Sequence, residues 1–108
     1  MAGSAVVPVV LAPANGLHFG AQKVNTTSAP QPVTLTNNKS VTLNVSSVVT
    51  SAGFQQTNNC LAGVPAGGTC TINVRFAPTT SGSISGTLTI GDDAYGSPQT
   101  LSLAGQGT

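Results

Sequence analysis

The chain has 108 residues, enough for one domain with a modest core. Charged residues make up 5% of it, against about 25% in ordinary soluble domains, and the net charge is +1. Lys23, Lys39 and Arg75 are too few to neutralise a run of phosphates, which excludes nucleic acid as a partner, and no apolar run is long enough for membrane insertion.

Residues 1–4 (MAGS) read as an expression start or a fragment boundary. No signal peptide is visible, so an exported protein would have lost its signal or carry it outside this stretch. Val6, Val7, Val9, Val10 and Leu11 form an extended apolar segment, which Pro8 demotes to an edge strand or a linker. Residues 1–14 are therefore predicted as an N-terminal extension or edge strand, and 15–108 as the domain proper. Asn15-Gly16 is a strong turn signal. A short strand follows over 17–20, with Leu17 and Phe19 inward, then a polar loop over 23–30. The alternation in 31–36 (QPVTLT) predicts a strand with Val33 and Leu35 inward, and Asn37-Asn38-Lys39 a tight turn. Residues 41–45 predict a strand with Val41, Leu43 and Val45 inward. The inward parity changes around Ser46-Ser47, which predicts a bulge. Ser51-Ala52-Gly53 turns the chain, Phe54 returns it to the core, and the Gln- and Asn-rich stretch after it is predicted as a loop.

The clearest strand follows Cys70. Cys70, Ile72, Val74 and Phe76 share one parity, and Thr71, Asn73 and Arg75 the other, the period of a strand with one buried face. Pro78 ends it, having no N–H for a ladder. Pro65-Ala66-Gly67-Gly68 is a turn, so Cys60 and Cys70 sit on two limbs of one bend. An even cysteine count favours a Cys60–Cys70 disulfide and an oxidising compartment. A reduced pair is the alternative. Zinc would need about four ligands, and only the distant His18 is added to the two cysteines, so no metal or other cofactor is predicted. Beyond a turn at Gly82, Ile84, Leu88 and Ile90 alternate with Gly86 as a gap. Residues 91–98 predict a long turn, 100–103 the last strand, and 105–108 a tail leaving the domain.

No stretch sustains a 3.6-residue period. The pattern predicts an all-β fold, an immunoglobulin-like β-sandwich of about seven to eight antiparallel strands. There is no Trp, and the two cysteines lie too close together to be the inter-sheet bridge of antibody domains.

Several segments together resemble the Hydin-type (ASH) immunoglobulin-like domain, and most closely its bacterial choice-of-anchor D relatives. They are Leu17-His18-Phe19-Gly20, Val33-Thr34-Leu35-Thr36-Asn37, Cys60, the run from Gly67 to Pro78, Gly82, Leu88-Thr89-Ile90 and the closing run from Leu101 to Gly107. The resemblance covers roughly residues 15–107. It implies a non-catalytic sandwich, repeated as a bead in a larger secreted or surface protein.

The residues outside that frame offer few sites. Asp92-Asp93 is the single acidic pair and a candidate ligand contact, although a hard cation wants six or more oxygens and Asp-bearing turns are common. Tyr95, in the same turn, is a candidate platform for a sugar ring. His18 stands alone, and no nucleophile motif accompanies it, so the chain is not predicted to be an enzyme. Lys23 and Lys39 lie in polar turns with no Glu to assist an isopeptide bond. Asn25, Asn38 and Asn44 match the glycosylation pattern by chance. Three functions follow. One is a structural spacer in a secreted or cell-surface protein, touching neighbouring domains of the same polypeptide. Another is a self-assembling subunit, in which Val6, Val7, Val9, Val10 and Leu11 add as a strand to another copy. The third is a module that binds glycan or protein through loops 58–68 and 91–98.

Overall fold

The computed structural model describes residues 8–94 and 97–108. Eight strands form two four-stranded sheets with no helix among the described residues. The strands are β1 (Val9–Ala12), β2 (Leu17–Gln22), β3 (Gln31–Asn37), β4 (Val45–Thr50), β5 (Phe54–Asn58), β6 (Thr69–Phe76), β7 (Gly82–Asp92) and β8 (Gln99–Gly107). One sheet has the order β1-β3-β6-β5 and the other β2-β8-β7-β4. Every pairing is antiparallel except β2 with β8, which is parallel. Residues 9–22 therefore serve both sheets, β1 at the edge of one and β2 at the edge of the other.

The core lies between the sheets where the alternation put it. Val33, Leu35, Cys70, Ile72, Val74 and Phe76 come from the first sheet, and Leu17, Leu88, Ile90, Leu101 and Leu103 from the second. Phe19, Phe54 and Phe76 form a ring cluster with centroids 5.2 to 6.0 Å apart. Two glycines of the second sheet seat those rings. A Cβ on Gly86 would stand 2.9 Å from the Phe54 ring, and one on Gly105 would stand 2.5 Å from the Phe76 ring. The gap at Gly86 is thus filled from the opposite sheet. Gly105→Ala is expected to cost about 1–3 kcal/mol, because Phe76 is fully buried and cannot yield without displacing its neighbours. Urea unfolding monitored by circular dichroism would read this as a lower midpoint at unchanged slope.

Four segments differ from the sequence reading. Residues 41–44 make no ladder. Val41 is 57% exposed, and Leu43 joins Val64 in an isolated bridge. The strand starts at Val45, and the expected bulge is present as a register shift between Val45 and Ser47. The Gln- and Asn-rich stretch is the edge strand β5 and not a loop. Its inward amides are satisfied: Gln56 Nε2 donates to the Val48 carbonyl at 3.0 Å, and Asn58 Nδ2 to Gln56 Oε1 at 2.8 Å. The last strand runs on to Gly107, with Gly105 beneath Phe76, so 105–107 are sheet and not tail. The 91–98 turn is shorter than expected, because β7 extends to Asp92.

Candidate functional site

β1, β4, β6 and β8 begin at one end of the sandwich, and β3, β5 and β7 end there. Loops 38–44, 59–68 and 93–98 meet at this end. Asn37 holds the first two together. It closes β3 at a core-facing position and is fully buried. Its Nδ2 donates to the carbonyls of Val41 (2.9 Å), Val64 (3.0 Å) and Pro65 (3.2 Å), and its Oδ1 accepts from the Lys39 N–H (2.9 Å). The sequence reading placed Asn37 in a turn and missed this role. The signal available was parity, since Asn37 follows Val33 and Leu35 at intervals of two.

The Cys60–Cys70 disulfide is formed, with Cα atoms 5.3 Å apart, and both residues are buried. Within its loop the Gly68 N–H donates to the Pro65 carbonyl at 2.8 Å, and Gly67 at φ +71° takes the position that a type II turn reserves for glycine.

The acidic pair is divided between two tasks. Asp93 accepts from the Asn44 N–H (3.0 Å) and from Asn44 Nδ2 (2.8 Å), with Lys39 Nζ at 3.5 Å, so it ties loop 38–44 to loop 93–98. Asp92 Oδ1 instead accepts from the Ala94 N–H at 2.9 Å, and Asp92 N–H donates to Ser97 Oγ at 3.0 Å. Asp92 thus holds its own turn through Oδ1, its buried Oδ2 having no hydrogen-bond partner, while Asp93 joins two loops; among the described residues no group of three or more His, Cys, Asp or Glu is placed to hold a metal ion. The Asn44 side-chain amide, helped by its backbone N–H and then by Lys39, holds the Asp93 carboxyl below the usual carboxylate range despite a small opposing effect of desolvation. A lowered folded-state value means the tether is complete above the ordinary Asp range and is lost as pH falls through the lowered value. The Asn44 side-chain amide resonances are expected to move toward free-amide positions only in that acid window. A shift centred near neutral pH would refute the assignment.

Tyr95 lies outside the described residues, as do Val6 and Val7. Val9, Val10 and Leu11 are in β1, paired with Asn37, Thr36 and Leu35 of the same chain. Donating them to another copy would require that β1 leave β3 and expose Val9, which is 4% exposed in place. His18 is on β2 beside a shallow depression of about 290 Å3, which Ser83 and Gln106 share and no acid lines. A second cavity, of about 340 Å3, lies between β1 and β8. No helix among the described residues is long and apolar enough to cross a membrane.

The sandwich topology, with its first two strands at the edges of opposite sheets, agrees with a sequence-level match. The Cep192 domain 4 family matches residues 7–108. The chain belongs to that family. The ASH/PapD-like domain of human CEP192 (PapD-like domain 7) superposes with a TM-score of 0.75 at 13% identity, covering 100% of this chain and 96% of that one. A Porphyromonas gingivalis W83 protein of unknown function gives a TM-score of 0.76 at 15% identity, over 91% of this chain and 46% of that chain. The secreted serine protease VesC from Vibrio cholerae gives 0.62 at 17% identity, over 83% of this chain and 21% of that one. At these identities the solved structures speak for the fold alone. This chain spans less than half the length of the last two. No curated protein sequence matches it.

Proposed function

We propose that this ASH-type domain is a non-catalytic structural module, a spacer in a bacterial secreted or cell-surface protein of the choice-of-anchor D kind. One observation carries the reading. Asn37, Asn44 and Asp93 at the loop end are engaged with the protein's own loops, as is one oxygen of Asp92, so they shape that end and do not face a substrate. The disulfide supports an oxidising compartment. The same fold occurs as part of a secreted protease and as part of a longer bacterial protein, so it is one that larger chains carry. Its partners in this reading are neighbouring domains of the same polypeptide. The low charge keeps such contacts insensitive to salt.

Light scattering on the non-reduced chain across a concentration series tests this. A spacer keeps a constant monomer mass. A mass that climbs with concentration would replace the reading with self-assembly, and Val9–Ala12 would be the first strand to delete.

A further inference from the structure

One edge of the second sheet is only half covered. β2 pairs with β8 from Leu17↔Leu103 to Gln22↔Gly107 and no further. Residues 99–102 of β8 therefore have a strand on the β7 side only. Gly16 closes the far end of this gap, since a Cβ there would stand 2.6 Å from the Ser102 carbonyl oxygen. Among the described residues, no strand pairs with Gln99, Thr100 and Leu101 on that side.

Hydrogen-bond parity says which of them presents its main chain. The Thr108 N–H donates to the Gln22 carbonyl at 2.9 Å, so Thr108 faces β2. β8 pairs with β7 without a register break from Gln99 to Gly107, so its peptide groups alternate regularly. Thr100 then turns its N–H and C=O to the same side as Thr108, where β2 does not reach. An uncovered strand edge of this kind is a template for another strand.

This open stretch borders the cavity of about 340 Å3 between β1 and β8, whose apolar lining includes Val9, Leu11, Ala14 and Leu101. Gln99 also lines it, and its Nε2 is buried with no hydrogen-bond partner. A buried amide donor left unpaired is costly, and an acceptor brought into the cavity would relieve it.

We propose that this notch receives a short extended, uncharged peptide from an unfolded stretch of another polypeptide, by strand addition to Thr100. The Gln99 amide donates to a peptide carbonyl, and an aliphatic side chain of the peptide covers the half-buried Leu11. The occupant must bring main-chain donors and acceptors, which a glycan lacks. It must also be a single strand. Only a short stretch of β8 lies between β1 and the start of β2, a length that suits one short strand. No charged residue lines the cavity, so a charged segment would lose its hydration without compensation.

The test is a titration of the isotope-labelled chain, followed by amide NMR, with an acetylated and amidated five-residue peptide alternating valine and threonine. Shifts are expected at Val10, Leu11, Thr100, Leu101 and the Gln99 side-chain amide. The same peptide with every internal nitrogen methylated should give none. Gln99→Leu should weaken binding about tenfold by removing one hydrogen bond. Thr100→Pro should abolish it while the fold survives, because the Thr100 N–H does not serve β7. Absent shifts at millimolar peptide, equal shifts from the methylated peptide, or shifts centred on β5 would each overturn the proposal. So would the same shifts appearing when the chain alone is concentrated, since the occupant would then be a second copy.

Discussion

Asn37→Leu is expected to destabilise the domain by about 3 kcal/mol, which for a chain of this size is roughly 10–20 °C in Tm. Leucine keeps the branched outline of asparagine without its polar atoms, but it is larger, so some overpacking adds to the lost hydrogen bonds at this fully buried site. The side chain makes four contacts, three donated from one NH2 group and one accepted. Two hydrogens cannot serve three carbonyls fully, and the 3.2 Å contact to Pro65 is the weakest. Removing the side chain leaves the Val64 carbonyl with the Leu43 N–H, and the Pro65 carbonyl with the Gly68 N–H, as their remaining donors. The Val41 carbonyl and the Lys39 N–H lie in a more open loop, and water replaces part of what they lose. Three net hydrogen bonds at about 1 kcal/mol each sum to the stated cost.

Asn37→Asp separates a hydrogen-bond role from a packing role. Its oxygen can still accept from the Lys39 N–H, but a carboxylate would face three carbonyl oxygens in a buried site. Burial and those oxygens would raise its folded-state pKa above the unfolded value. The variant should therefore be most stable at pH below the ordinary Asp range and lose stability as pH rises through the raised value. Urea unfolding at several pH values would show it. A loss below about 1 kcal/mol in both variants, with no pH dependence for the aspartate, would mean that the loops are held by their backbones alone.

The parts of this fold that were legible in the sequence are those decided by neighbours two residues apart. The inward set of β6, the parity change at Ser46-Ser47 and the turn at Pro65–Gly68 each rest on local period or local φ, and the structure reproduces them. The disulfide was legible because two cysteines flank one turn. What escaped depends on residues far away in the chain. β5 carries Gln and Asn at inward positions, and only the Val48 carbonyl, in the other sheet, makes an inward Gln56 acceptable. Gly105 and Gly107 look like a flexible tail until Phe76 and Pro78 are placed against them. Val41 alternates correctly with Leu43, yet its carbonyl is taken by Asn37 and its segment has no ladder. The candidate site was legible as a set of loops. That Asn37 and Asp93 join one loop to another was not, because the partners across the loops lie 27 to 49 residues away.

Removing the Cys60–Cys70 bond is expected to cost about 2.5–3 kcal/mol, as estimated by chain entropy for a closed loop of this length. Against a total of about 5–15 kcal/mol for a typical domain, that is a large share. Chemical reduction and the Cys60→Ala/Cys70→Ala double variant should both show it, the alanine variant somewhat more, because Cys60 is fully buried and its sulfur leaves a void. The bond also closes the loop whose Val64 and Pro65 carbonyls are held by Asn37. Losing either tether loosens what the other holds, so the two effects should not add. In a double-mutant cycle, Asn37→Leu made in the alanine background should cost less than in the native chain, by about 0.5–3 kcal/mol. If the two losses add to within about 0.5 kcal/mol, the loop is fixed independently at each end. In that case the Leu43–Val64 bridge, and not the side-chain network, carries the connection between loops 38–44 and 59–68.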